Sequence, residues 1–266
     1  MKNIRISNVE QKISLGEAQN KKHDSRDARY IIGGMHITAS SKTILVLVKF
    51  KVRGNLRFLS HAEMVKVFQR ACVRAGIKVL YSEGFNPRLK LSLPLPRSVG
   101  IEVNDDLLCF RIEISTGAQE YKSTSDLCTL VKTRLSEQLP DGFELLTVRT
   151  AKAKASIQPC LAAYLLAVRA EYLNEKLKSR IKCLLASENL NLQRRMGPEN
   201  SKFKNVDVRP FLKSIELDDT GITVECKISL AGSIRLDEIL ELLELDYGML
   251  SAPIRRTRVQ WQVSKS

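Results

Sequence analysis

Two rhythms of apolar positions alternate along the chain. Over residues 42–52, Ile44, Leu45, Val46, Leu47, Val48 and Phe50 run almost without interruption, as in a central strand. Arg53-Gly54-Asn55 reads as a turn. Ser60-His61-Ala62-Glu63 fits a capping box, in which the serine oxygen takes an orphan helix N–H and the glutamate reaches back to the serine. The helix runs to about Ala75, with Met64, Phe68, Ala71, Cys72 and Ala75 on its apolar stripe and Gly76 as its stop. Residues 77–81 form a short second strand. Asp105-Asp106 marks a turn. Beyond it Leu107, Cys109, Arg111 and Glu113 alternate with Leu108, Phe110, Ile112 and Ile114, a third strand with one apolar face. Ser123 or Ser125 caps a second helix reaching about Leu139, and Pro140-Asp141-Gly142 ends it. Residues 143–148 are a fourth strand. Strand, helix, strand, strand, helix, strand is the split βαβ order of a ferredoxin-like domain.

The same order recurs downstream. Residues 161–170 are strand-like, Leu173, Leu177, Ile181, Leu184 and Leu185 mark a helix, and residues 190–195 form a strand. Residues 211–217 and 221–230 make a hairpin turned at Asp218-Asp219-Thr220-Gly221. Residues 233–245 are a leucine-rich acidic helix, and residues 254–263 a last strand with the single tryptophan, Trp261. The expected fold class is therefore α+β: two tandem ferredoxin-like (βαββαβ) domains over residues 42–150 and 161–266. A linker at residues 151–160 joins them. Residues 1–41 are polar, lack sustained periodicity and read as a disordered arm. At 266 residues the chain has room for two such domains.

Residues 81–96 interrupt both rhythms. Tyr81-Ser82-Glu83-Gly84-Phe85-Asn86-Pro87 is followed by Arg88-Leu89-Lys90 and Pro94-Leu95-Pro96, so three of the chain's eight prolines lie here. Gly84 reaches positive φ cheaply and Asn86-Pro87 forces an extended or turned backbone. The stretch reads as a long ordered loop that presents Phe85 and the cations Arg88, Lys90 and Arg97. Long loops in compact domains more often carry function than ornament.

Charge turns this scaffold towards an anionic partner. Forty-three Lys and Arg face 29 Asp and Glu, for a net charge of +14, and a chain this basic usually meets a polyanion, nucleic acid first. Lys66, Arg70 and Arg74 recur every four residues on the first helix. Arg194, Arg195, Lys202, Lys204, Arg209 and Lys213 form a second group, and Arg255, Arg256 and Arg258 a third, with no acid nearby in sequence. Arg57 adds a cation beside the first helix. The expectation is that these gather into one positive surface around the loop. The six cysteines are scattered singly with no CxxC pair, so neither a zinc ribbon nor an iron–sulfur site is legible; they read as apolar filler. Rossmann, P-loop and zincin signatures are absent. No metal or cofactor is expected. No apolar run reaches the length of a membrane span and no signal peptide opens the chain, so a cytoplasmic location without membrane contact is expected.

Two segments resemble a known family. Gly54-Asn55-Leu56-Arg57-Phe58-Leu59-Ser60-His61, followed by Tyr81-Ser82-Glu83-Gly84-Phe85-Asn86-Pro87 and Pro94-Leu95-Pro96, resembles the bacterial radical SAM-linked protein family, a domain of unknown function. Val206-Asp207-Val208-Arg209-Pro210-Phe211 is similar to a later segment of the same family. The resemblance covers about residues 42–262. It implies a companion to a cobalamin-type radical SAM enzyme and a link to RNA or ribosome modification. Where the family usually continues Asn-Pro-His-Pro-Lys, this chain has Asn86-Pro87-Arg88-Leu89-Lys90. A ligand or proton carrier is thereby lost and a cation kept.

Three functions follow as expectations. In the first, the protein is a non-catalytic RNA-binding accessory, with tRNA or rRNA as partner and backbone contacts dominant, because the aromatic motif of RRM sheets is missing. Five neutralised phosphates would give a log–log salt slope of about −3.5 on single strands. In the second, it is a protein-only adaptor for a radical SAM enzyme, docking through residues 91–96. In the third, it is a metal-independent endoribonuclease using His61, Tyr81, Ser82, Glu83 and Lys90 for proton transfer and phosphate stabilisation.

Overall fold

The computed structural model describes residues 29–32, 35–38, 41–115, 123–196 and 202–264. Strands β1 (Arg29–Ile32) and β2 (Met35–Thr38) pair antiparallel, from Arg29 opposite Thr38 to Ile32 opposite Met35. They belong to a unit separate from residues 41–266. The remainder of the expected arm lies outside the described residues.

Residues 41–266 form one compact unit of mixed α/β structure built on an eight-stranded sheet. In its first half the chain passes through β3 (Ser41–Val52), α1 (His61–Arg74), the two-residue β4 (Leu91–Ser92), β5 (Glu102–Ser115), α2 (Thr124–Ser136) and β6 (Phe143–Lys152). The strand order is β6-β3-β5-β4, every neighbouring pair antiparallel. Alternation along β3 sends Val46, Val48, Phe50 and Val52 into one buried cluster with Met64, Phe68, Ala71 and Cys72 of α1 and Leu127, Val131 and Leu135 of α2. Phe68 meets Phe50 and Phe143 edge-on, with centroids at 4.8 and 5.2 Å. Such pairs add about 0.5–1.5 kcal/mol each beyond their burial. Leu45 and Leu47 point to the opposite face and pack with Leu107, Cys109, Ala151, Ile157 and Trp261.

The second half runs through β7 (Ser156–Leu166), α3 (Glu175–Ala186), β8 (Asn191–Met196), β9 (Lys202–Asp207), β10 (Leu212–Asp218), β11 (Gly221–Lys227), α4 (Leu236–Leu243) and β12 (Arg255–Ser264). Its strand order is β10-β11-β7-β12, antiparallel throughout. Among the described residues β8 and β9 pair only with each other. β12 then joins β5 in parallel at Arg255 opposite Glu102 and Arg256 opposite Val103, so the two halves share one sheet while keeping separate buried clusters.

Several sequence expectations change. Asp105-Asp106 is not a turn but lies inside β5. The strand tolerates both acids because cations meet them: Lys49 Nζ is 2.9 Å from Asp105, and Arg256 is 2.6 Å from Asp106. Residues 151–160 are not a linker. β6 and β7 run through them with a tight turn closed by the Ala155 N–H donating to the Lys152 carbonyl at 2.9 Å, because Ala151, Ala155 and Ile157 are needed against Trp261. The second strand expected over residues 77–81 shrinks to isolated bridges, Val79 with Ile112 and Tyr81 with Leu89. β9 was not anticipated from the sequence; its Lys202-Phe203-Lys204-Asn205 segment is too polar to register as a strand.

Candidate functional site

The residues after α1 decide what surrounds its exposed face. Ser60 caps the helix as expected: its Oγ accepts from the Glu63 N–H at 3.3 Å, and the Ser60 N–H donates to Glu63 Oε2 at 2.8 Å. The Glu63 carboxyl is held below its usual value first by the Ser60 Oγ–H, which donates to Glu63 Oε2 at 2.7 Å, then by the Ser60 N–H, with Lys66 adding to the effect. Gly76 lies at φ +65°, the left-handed stop that follows the last helical turn. The chain then pairs Val79 with Ile112 of β5 and folds residues 81–89 into a small hairpin. The Ser82 N–H donates to the Arg88 carbonyl at 2.7 Å, and the Arg88 N–H donates to Ser82 Oγ at 2.9 Å. On the far side Leu91 and Ser92 pair with β5 again. The loop is thus anchored to β5 on both flanks, with Gly84 at φ +145° in its tip and Phe85 fully exposed there.

Between this hairpin and α1 lies a groove of about 710 Å³. Lys66, Arg70 and Arg74 line it from one row of α1, and Val65, Gln69 and Val73 from the adjacent row. Tyr81, Pro87, Arg88 and Leu89 form the opposite wall. Lys66, Arg70, Arg74 and Arg88 are all exposed. Among the described residues no carboxylate lines the groove and none of the four cations has an ion pair. Each four-residue step along α1 is about 6 Å, so the helix alone sets out three cations along the groove. The negative C-terminal end of α1 favours Arg70 and Arg74 there.

The remaining expected cations do not join them. Arg97 is buried: its Nη1 donates to the Arg57 and Ile101 carbonyls at 2.9 and 2.5 Å, and its Nη2 to Leu56 and Leu59 at 3.3 and 2.8 Å. Burial, reinforced by Arg256 and partly offset by Asp106, pushes its pKa down to about 10. Arg256 is wholly buried against Asp106, and Arg255 meets Glu102 at 3.2 Å. Arg258 and Lys213 both pair with Glu225. Sequence distance hid these carboxylates, which stand on β5 and β11. Arg194 pairs with Glu238 at 2.7 Å, and Arg209 donates to the Leu185, Ser187 and Leu212 carbonyls. Arg57 lies over the Phe58 ring at 4.3 Å, away from the groove. Arg195 and Lys204 are exposed on the β8–β9 hairpin; the Lys202 side chain lies outside the described residues.

Of the catalytic candidates, Tyr81 alone lines the groove. His61 opens α1, Glu83 is fully exposed, Lys90 stands 3.9 Å from it, and Ser82 holds the hairpin. No hydrogen bond joins any two of His61, Tyr81, Glu83 and Lys90. The 91–96 segment expected to dock a partner turns partly inward: Leu93 is buried and Leu91 packs beside it in the first half's core. Cys72, Cys109 and Cys226 are buried and burial pushes each thiol up to about 12, whereas Cys183 is exposed rather than filler. Among the described residues no helix is long and apolar enough to cross a membrane. What sequence reasoning missed is the apolar half of the groove. Val65 and Val73 lie outside the buried stripe of α1, and that misplacement was the available signal.

The fold and the groove together define a mixed α/β protein with an acid-free, cation-lined cleft beside a stiff loop. The chain belongs to DUF2344, a family described as uncharacterized proteins conserved in bacteria, which matches over residues 46–238. That span takes in both walls of the groove. No curated protein matches the chain.

Proposed function

We propose that the groove between α1 and the 81–89 hairpin binds single-stranded RNA, tRNA or rRNA, and that the protein is a non-catalytic accessory to a radical SAM enzyme acting on RNA or the ribosome. The observation that carries the RNA reading is the groove itself: Lys66, Arg70, Arg74 and Arg88 without a carboxylate, beside Tyr81 and Leu89. Unpaired cations take the phosphate backbone. Exposed Tyr81 and Phe85 offer faces on which bases stack, at about 1–3 kcal/mol each. The strand orders β6-β3-β5-β4 and β12-β7-β11-β10 support reading each half as a split βαβ unit, a sheet architecture common among RNA-binding modules.

His61, Tyr81, Glu83 and Lys90 share no hydrogen bond with one another, which favours binding over endoribonuclease chemistry. A fluorescein-labelled single-stranded RNA, titrated with the full chain and followed by anisotropy, tests the binding. Saturable, salt-sensitive binding is expected, with the RNA intact on a gel afterwards. The enzyme partner rests on the motif resemblance at residues 54–61 and 81–87. A purified radical SAM enzyme from the same cell should co-elute with the chain at micromolar concentration, and separate elution would sink that half of the proposal.

A further inference from the structure

The cations account for only part of the α1 groove. Its lining on α1 falls into two rows that each step by four residues: Lys66, Arg70 and Arg74 in one, Val65, Gln69 and Val73 in the other. The three cations are exposed, whereas Val65 and Gln69 are half-buried. Val65 and, across the groove, Leu89 also pack against the buried cluster of the first half. The second row therefore lies deeper, as a floor, and the cations form the rim. Among the described residues Gln69 is the one neutral amide in the lining, set between two valines, and its side chain has no hydrogen-bond partner. Tyr81 stands in the opposite wall.

A phosphate backbone gains nothing from an apolar floor. A strand whose phosphates take the rim cations turns its bases either out to water or down onto Val65, Val73, Leu89 and Tyr81. The second arrangement covers apolar surface and stacks a base face, and it brings a base edge to Gln69. A carboxamide presents an acceptor oxygen beside an N–H donor. The Watson–Crick edge of each RNA base also sets a donor beside an acceptor, so a carboxamide matches any base in one of its two orientations, provided that edge is not already paired. The flanking valines lower the local polarity and strengthen such bonds. We propose that Gln69 is a specificity-determining residue, bonding the Watson–Crick edge of an unpaired base turned into the groove. This rests on the RNA reading and deepens it: the rim cations attract any RNA, and the amide selects an unpaired strand over a paired one.

The test compares the full chain with its Gln69→Leu variant, which keeps the floor apolar and the helix propensity high. Anisotropy is followed with three labelled ligands of equal length: oligouridylate, an abasic ribose-phosphate strand, and an RNA duplex. The native chain should bind oligouridylate at least about tenfold more tightly than the abasic strand, the worth of one stacked and bonded base. Gln69→Leu should weaken oligouridylate binding about tenfold. It should leave the abasic strand, the duplex, the salt slope and the thermal midpoint unchanged. Equal affinity of the native chain for oligouridylate and the abasic strand overturns the proposal, as does a Gln69→Leu chain that binds oligouridylate as tightly as the native one. A loss of the same size for all three ligands also overturns it, because it reduces Gln69 to a structural part of α1. Each of these results leaves the RNA reading standing as long as binding is saturable and salt-sensitive. Failure to bind any of the three ligands sinks both.

Discussion

Replacing Arg70 and Arg74 by glutamine is the sharpest test of the groove, because it changes charge and nothing the fold needs. Both side chains are exposed and neither has an ion pair among the described residues. Glutamine keeps helix propensity close to that of arginine, so α1 should hold. Four cations line the groove. On a single strand each neutralised phosphate contributes about −0.7 to the log–log salt slope, giving a slope of about −2.8 for the native chain. That is shallower than the −3.5 expected when five contacts were counted from sequence. Between 50 and 200 mM salt, affinity should therefore fall about 50-fold in the native chain and about sevenfold in the double variant, whose slope should be near −1.4. Anisotropy of a labelled single-stranded RNA at four salt concentrations reads both slopes. Arg195→Gln, on the β8–β9 hairpin and outside the groove lining, is the control and should leave the slope unchanged. A native slope near zero, or equal slopes for the native chain and the double variant, would refute the assignment of these cations to phosphate contacts.

Further consequences concern stability. Asp106→Ala leaves Arg256 buried without its carboxylate and should cost about 3–5 kcal/mol in urea unfolding; a loss below 1 kcal/mol would mean that water already reaches the pair. Gly221→Ala should also cost several kcal/mol, at least the roughly 1–3 of a strained backbone. A Cβ there meets the Leu166 carbonyl at 2.1 Å with φ at +141°, whereas at Gly232, φ +139°, its nearest neighbour is 3.6 Å away. Gly232→Ala should thus be milder, and equal losses would contradict the steric account. Burial pushes the Glu238 carboxyl up, but hydrogen bonds from Arg194 and the Arg235 N–H outweigh it and hold the group below its usual 4.5. Its stabilisation is therefore present above that unfolded value and lost as pH falls through the lower folded one. Glu238→Gln should flatten the acid limb of the thermal midpoint against pH, and an unchanged limb would place the titration elsewhere. A thiol reagent at pH 8 should label Cys183 at once and leave Cys72, Cys109 and Cys226 untouched until unfolding; prompt modification of all three would disprove their burial.

What the sequence made legible follows from the range of the interactions involved. The capping box at Ser60 and Glu63, the buried stripe of α1 and the alternation of β3 depend on residues a few positions apart, and each was readable. The fate of the cations depends on partners far along the chain, and it was not. Arg256 finds Asp106 across 150 positions and Arg255 finds Glu102 across 153. Asp106 looked like half of a turn because a pair of aspartates usually is one; only the arrival of β12 beside β5 gives the carboxylate a reason to be in a strand. Likewise Arg97, counted as a surface cation of the loop, is the bolt that ties four carbonyls of the neighbouring turn and loop together.

The basic residues therefore divide into two populations with opposite physics. Arg97, Arg194, Arg209, Arg255 and Arg256 are half-buried or buried, and each is bonded to carboxylates or carbonyls within the fold. Their planar, multidentate donors suit that task, and they add little to the field outside. Lys66, Arg70, Arg74 and Arg88 keep their full charge at the surface, and the stiff 81–89 hairpin keeps them facing one cleft. A net charge of +14 overstates what a ligand approaching the cleft would meet. A single helix face and one loop arginine set the attraction, so affinity should respond steeply to changes at those four positions and weakly to changes at the others.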